Sequence, residues 1–146
     1  MTGFEIVKDD KDKGFDLLPI SSITVAKGDL LMLAVGATTW ILATAAAEHW
    51  QRKAIAQEAA TTSDSFVKAV ELDGSELVKA GSTNNSNAAH NGDRMLLTDE
   101  DQVNNTGTDS TAEEAGFLQT GVVGAAADKT ILGHVLVGSG VNPDAA

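Results

Sequence analysis

The sequence predicts a mainly β protein: one β-rich domain with an extended N-terminal arm and at most one short helix. Short apolar runs alternate with Gly, Asn and Asp turns through the second half of the chain, which is typical of strands joined by turns. Hydrophobic residues make up 42% of the 146 positions, enough to close one core. A single domain is therefore expected.

The first sixteen residues are expected to form an arm outside the core. They carry alternating charge, and they precede Pro19, which restricts the backbone of Leu18 as well as its own. The apolar residues of this arm are Phe4, Ile6, Val7 and Phe15. The predicted division is thus an arm at 1–16, a β-rich domain at 17–140 and a C-terminal tail at 141–146.

The first strands of the domain are predicted on both sides of the turn Lys27-Gly28-Asp29. Ile23 and Val25 alternate with polar neighbours before the turn. Residues 30–35 are apolar at every position, which predicts a strand buried on both faces. The β-branched and aromatic residues of 39–42 favour pairing back onto that strand.

Residues 43–60 leave two alternatives open, a helix or a strand. Ala, Glu, Gln, Arg and Lys dominate the segment, which favours a helix. One helical face would then carry Ala43, Ala46, Ala47, Trp50 and Ala54. The strand alternative comes from the resemblance described below.

Asp73-Gly74 separates two apolar runs at 66–72 and 75–80 and is a strong signal for a two-residue hairpin. Such a hairpin would place Glu71 opposite Glu76 and Lys68 opposite Lys79, and like charges in those positions are unfavourable. Either the two strands diverge, or the charges face open water.

The rest of the chain is expected to form exposed loop tips and one central strand. Residues 81–94 and 98–116 are rich in Gly, Ser, Thr, Asn and Asp, which is typical of exposed loops. Residues 130–137 are largely apolar at both odd and even positions, so this strand should have both faces covered.

The charge of the chain excludes several classes of partner. A formal net charge of -11 repels phosphate backbones and anionic lipid surfaces, so no direct contact with nucleic acid or membrane is expected.

The chain has no cysteine, which removes disulfides, thiolate nucleophiles and Cys-based zinc sites.

Motif-level candidates for metal binding fail on spacing. Asp9-Asp10-Lys11-Asp12-Lys13-Gly14 begins like a calcium loop, but Gly14 and Ser21 occupy the positions where an EF-hand needs Asp or Asn and Glu. The histidines, at positions 49, 90 and 134, have no neighbour at ligand spacing. No metal and no cofactor are therefore expected.

Catalytic candidates fail as well. Gly121-Val122-Val123-Gly124-Ala125 lacks the lysine of a phosphate-binding loop and is better explained as a strand kinked by glycines. The acidic pairs Glu113-Glu114 and Asp99-Glu100-Asp101 are expected on a solvated face. Because no set of nucleophile, base and orienting group is visible, we expect no catalytic residues and no enzyme activity.

Several short segments together resemble the capsid decoration proteins of tailed bacteriophages, also called cement or head-stabilising proteins. These segments are Leu18-Pro19-Ile20, Lys27-Gly28-Asp29-Leu30, Val78-Lys79-Ala80, His90-Asn91-Gly92-Asp93 and the Gly-rich closing strand. The resemblance spans residues 17–137. It implies a structural virion protein, often a homotrimer, that is made in the host cytoplasm and binds the major capsid protein on the outer capsid surface. It also implies that the fold is a compact β-barrel or β-tulip-like domain, with a strand at 53–59.

The arm residues Phe4, Ile6, Val7 and Phe15 are our candidates for capsid contact. They are apolar residues in a charged segment too short to form a core, which suits a latch that orders on a partner surface. The alternative is another virion β-protein without enzyme activity, such as a tail-tube protein or an adhesin-type binding module. An adhesin that stacks on sugars should be rich in Trp and Tyr, and this chain has two Trp and no Tyr.

Overall fold

The computed structural model describes residues 1–9, 11, 14–106 and 114–141. It is mainly β, with two sheets of which one curls into a half-barrel, so the predicted fold class is confirmed. The strands are β1 (Phe4–Lys8), β2 (Asp16–Pro19), β3 (Leu30–Leu33), β4 (Ile41–Leu42), β5 (Arg52–Ala56), β6 (Phe66–Glu71), β7 (Leu77–Gly81), β8 (Arg94–Leu97), β9 (Val103–Asn104), β10 (Ala115–Val122) and β11 (Thr130–Val135). Single 3-10 turns form at Ala88–His90 and Ala126–Asp128.

The strands form two antiparallel sheets. The six-stranded sheet has the order β1-β7-β11-β10-β8-β9, and the five-stranded sheet has the order β2-β6-β5-β3-β4. Isolated bridges join Ile20 to Trp40 and Ser82 to Val103, which brings segments beyond the named strands back toward each sheet. In the two strand orders, β1 and β2 are edge strands of different sheets.

The main core lies between the two sheets. Leu30, Ile55 and Val70 are cross-strand neighbours on the face of the five-stranded sheet that is turned toward the six-stranded sheet. Leu30 and Ile55 pack there with Phe117 and Ile131 of the six-stranded sheet, and all four are at most 1% exposed. Burial of this kind contributes about 1.5–3 kcal/mol per large apolar side chain.

A second core covers the opposite face of the five-stranded sheet. Leu31, Ala54 and Val67 point to this side because successive residues of a strand alternate between faces. Val25 and Trp40, which lie in the connecting segments, pack over them and are 1% and 3% exposed. Both faces of the sheet are thus buried at β3 and β5, as the apolar run at 30–35 predicts for β3, although Val35 itself is 68% exposed.

Residues 43–60 contain a strand, and the helix alternative is wrong. Turns occupy the first part of the segment, and β5 begins at Arg52. β5 pairs with β3 on one side and β6 on the other, and four of its five residues are buried. Pairing on both sides and burial on both faces outweigh the weak helix preference of the segment.

The turn Asp73-Gly74 does not close a hairpin, because β6 and β7 belong to different sheets. The strands diverge, which was one of the two alternatives, and the like-charge pairs do not form. Glu76 is 1% exposed, and its carboxylate accepts hydrogen bonds from the backbone N–H groups of Asp73 and Gly74. A buried carboxylate therefore holds the corner where the chain passes between sheets.

Two further expectations are corrected in part. β11 is a central strand between β7 and β10, but Leu132 and His134 on its outer face are only half-buried. The segment 98–116 is more than an exposed tip, because it contains β9 and the fully buried Val103. Asn105 is 4% exposed, and its amide bonds the backbone of Asn84, which joins this segment to the preceding loop.

The expectation that residues 1–16 lie outside the core is wrong for the first half of the arm. β1 pairs with β7, and Phe4 is 3% exposed with its ring centroid 6.5 Å from that of Phe117. Gly28, at φ +92°, lets the turn approach closely enough for its carbonyl to accept a hydrogen bond of 2.8 Å from the Phe4 N–H. Large apolar side chains in a charged segment can complete a core that the rest of the chain leaves open.

Replacing Phe4 with Ala should destabilise the protein by about 3–5 kcal/mol, since it removes a fully buried ring and leaves a cavity beside Phe117. Equilibrium denaturation in urea measures the change. Phe15→Ala is the matched control, because Phe15 is 54% exposed and its loss should cost much less. Equal and small effects of both changes would mean that the arm is not part of the folded core.

Candidate functional site

A groove runs between edge strand β1 and the face of the five-stranded sheet beside it. One part of this β1 groove has a volume of about 450 Å³, and its walls include Ile6, Phe15, Lys68 and Val70. A second part, of about 500 Å³, lies toward the start of β1 and is lined by Phe4, Glu5 and Lys27 among others. Ile6 and Gln57 line both parts, so the two adjoin along the strand.

An apolar patch continues from the groove onto β2 and β6. Leu17 pairs with Lys68, and Pro19 pairs with Phe66, on the same sheet face as Val70. Farther along this face the six-stranded sheet covers Leu30 and Ile55, but the patch lies beyond that cover. We call the β1 groove together with Phe15, Leu17, Pro19 and Phe66 the docking face.

The exposure of this patch sets it apart from an ordinary monomer surface. Phe15, Leu17 and Phe66 are 54%, 63% and 57% exposed. Single exposed apolar residues are common, whereas several large ones on one face mark an interaction surface. The arrangement can bury a partner's apolar side chains without rearranging the core.

Charged groups lie among these apolar residues. The Lys68 ammonium is 3.8 Å from the centroid of the Phe15 ring, a cation–π contact that holds the ring against β6. Asp9 and Glu58 line the same part of the groove. Within the described part of the chain, neither carboxylate forms an ion pair.

The structure divides the four predicted contact residues. Ile6 and Phe15 line the groove, and Val7, which is 47% exposed, has no partner in β7 because the strand register shifts between Ile6 and Lys8. Phe4 borders the second part of the groove, but its side chain is 3% exposed and packs in the core against Phe117. Leu17 and Phe66 were not among the contact residues predicted from the sequence. The signal that could have found them is a large apolar residue at an outward-facing position of a strand.

The remaining sequence candidates show no assembled chemistry. Asp10, Asp12 and Lys13 of the calcium-like motif lie outside the described residues. His90 contacts Asp93 at 3.0 Å, and His134 contacts the carbonyl of Glu76 at 2.8 Å. Among the described residues no group of three or more His, Asp or Glu could hold a metal ion. The register of β10 against β11 shifts between Gln119 and Gly121, which agrees with a strand kinked at Gly121.

Lys53 of β5 is a fully buried cation. Its ammonium donates hydrogen bonds of 2.6 Å to the carbonyls of Glu48 and Leu136, and so ties the turn before β5 to the segment after β11. Burial lowers the pKa of Lys53 to about 8, and the nearby Glu48 carboxylate opposes this shift. The stem of this lysine fills space in the core while its charge serves as a backbone anchor.

The acidic run Asp99-Glu100-Asp101 is not the solvated face that we expected. It is partly buried beside Asp29, and the backbone carbonyl of Asp101 accepts a hydrogen bond from Gly3. A hydrogen bond with Asp99, then burial, then repulsion from the neighbouring carboxylates raise the pKa of Asp101 to about 6. Of the other acidic pair, Glu114 is exposed and Glu113 lies outside the described residues.

Comparison with models of protein families, with curated proteins and with solved structures finds no match. In the part of the chain that the structure describes, no helix has the length and apolar character needed to cross a membrane. The proposal below therefore depends on the docking face and on the resemblance in sequence.

Replacing Lys53 with Met should lower the free energy of unfolding at pH 7 by about 1–3 kcal/mol, because two buried carbonyls lose their donor. The lowered pKa adds a pH signature. Between pH 8 and the ordinary lysine value of 10.5, the unfolded wild-type chain binds more protons than the folded one, so wild-type stability rises with pH. Denaturation curves across this range should show the gap between wild type and variant widening. A gap that stays constant with pH would contradict the shifted pKa.

Replacing Asp101 with Asn should stabilise the protein at pH 7 by less than about 1 kcal/mol, since the site is partly exposed and its repulsion is screened. The folded chain binds a proton at Asp101 more readily than the unfolded chain does, so wild type should gain stability relative to the variant as pH falls from about 6 toward 3.8. Thermal melts at several pH values measure this. A variant that is less stable than wild type at pH 7 would mean that the Asp101 carboxylate is needed for its hydrogen bonds.

Proposed function

We propose that this chain is a structural virion protein without enzyme activity, which binds the outer surface of an assembled phage capsid and stabilises it. Its partner in this proposal is the major capsid protein. The observation that carries the proposal is the docking face, which adds three exposed large apolar residues to a groove along an edge strand. The resemblance in sequence to capsid decoration proteins supports the same conclusion.

The docking face suits attachment to a large protein surface. A groove beside an edge strand accepts an extended segment, and the adjoining patch adds apolar area that is removed from water on contact. The scaffold beneath both is the five-stranded sheet, whose inner strands β5 and β3 are buried on both faces, so little conformational entropy is lost when a partner binds. An attached protein of this kind can bridge neighbouring capsid subunits.

The perturbed side chains of the described residues fit a structural role. Lys53 is held by two backbone carbonyls, and Asp101 lies in an acidic cluster that is joined to the backbone of the arm. The position of each group is explained by the fold, without a bound substrate. Both groups support the proposal of a protein without catalytic residues.

We also propose a homotrimer as the working assembly, with a tail-tube or adhesin-type role as the alternative to capsid decoration. The trimer is supported by the resemblance and by a core rich in Ala and Val, which gives a monomer modest burial. Electron microscopy of native particles separates the two roles, since a decoration protein is seen on the head and a tube protein in the tail.

The purified protein should bind undecorated heads of the phage that encodes it and raise the temperature at which the heads lose their DNA. Phe66→Ser should weaken this binding at least about tenfold, because it removes a large exposed apolar contact without touching the core. Co-sedimentation of labelled protein with heads gives the affinity.

Val35→Ser is the matched control. It removes an apolar side chain that is 68% exposed but lies outside the docking face, and it should bind heads like wild type. Absence of wild-type binding to heads, together with density in the tail, would establish the alternative role.

A further inference from the structure

The docking face is acidic where it is open. Asp9 and Glu58 line the part of the β1 groove that adjoins Phe15, and among the described residues Lys68 is the only cation that lines that part. The other part of the groove is balanced, because Glu5 and Lys27 both line it. The acidic part belongs to a chain whose net charge is -11, so its field favours cations.

Among the described residues, neither carboxylate is held in an ion pair. The Lys68 ammonium lies over the Phe15 ring. The Lys11 ammonium pairs with Asp73 at 2.6 Å, while the Lys11 backbone N–H donates a 3.0 Å hydrogen bond to one oxygen of the Asp9 carboxylate. Glu58 is exposed just after β5, across the groove from β1. A cation placed between Asp9 and Glu58 would gain from both.

We propose that the docking face binds an extended, basic segment of the partner protein, in which Lys or Arg alternates with apolar residues. The basic side chains lie between Asp9 and Glu58, and the apolar ones cover Phe15, Leu17 and Phe66. This inference rests on the proposed function for its biological partner and on the groove for its chemistry. A second copy of this chain is disfavoured at the docking face, since it carries the same net charge of -11, so the proposed homotrimer would use other surfaces.

The alternation of basic and apolar residues in the partner segment follows from the geometry of the docking face. Side chains of an extended segment point to opposite sides at successive positions, so one set can reach the apolar floor formed by Ile6 and Val70 while the other reaches the acidic rim. Charge pairing of this kind raises the association rate and weakens with salt, while the apolar contact persists.

Two synthetic hexapeptides test the chemistry independently of any phage particle, one alternating Lys with Leu and one alternating Glu with Leu. NMR titration of the full chain should show binding of the Lys-Leu peptide with shifts at Phe15, Leu17 and Phe66, and no binding of the Glu-Leu peptide. Glu58→Lys should weaken binding of the Lys-Leu peptide about tenfold at low salt. Glu114→Lys makes an equal charge change at an exposed site outside the docking face. It should change the affinity for the Lys-Leu peptide by less than about twofold.

Each outcome decides the inference. Shifts spread over the acidic surface, equal binding of both peptides, or equal losses in the two charge variants would overturn it. If wild type binds heads and Glu58→Lys binds them equally well, the inference fails while the proposed function stands. If the Lys-Leu peptide binds at the docking face but heads are not bound, the proposed function fails and the basic partner must be sought elsewhere.

Discussion

The structure depends on the burial of both faces of the five-stranded sheet at its inner strands β5 and β3. Strand β5 sends Ile55 into the core between the sheets and Ala54 and Ala56 into the second core, and it pairs with a strand on each side. Small residues on the second face let the connecting segments approach closely, with Val25 and Trp40 closing over them. Loss of either core would leave the same strand with an exposed apolar face, so the two cores depend on each other.

The docking face is a consequence of how unevenly the two sheets overlap. The six-stranded sheet covers Leu30 and Ile55 but ends at β1, and the five-stranded sheet extends past it to β6 and β2. The side chains that continue the same face, Leu17 and Phe66 among them, therefore meet solvent. A natural monomer usually protects edge strands with charge or proline, and here Pro19 of edge strand β2 provides that protection in part.

Buried charges hold the connections in this protein where regular hydrogen bonding ends. Glu76 satisfies backbone donors at the corner between β6 and β7, and Lys53 satisfies backbone acceptors next to the end of β11. Each is a fully buried side chain whose charged end meets backbone groups. A chain without disulfides can join its sheets by such anchors, at the expense of desolvating each charge.

The sequence by itself determined the β class, the central position of β11 and the pairing of β3 with β4, because these follow from local alternation and from turn residues. It also identified Ile6 and Phe15 as apolar residues outside the usual pattern. Only the tertiary structure decided that residues 52–56 are a strand, that Asp73-Gly74 joins two sheets and that Phe4 belongs to the core. The reason is physical: helix propensity and hairpin signals are worth less than about 1 kcal/mol per residue, whereas burial on two faces outweighs them and depends on partners distant in sequence. For the same reason Leu17 and Phe66 became a surface only when the sheets were seen to overlap unevenly.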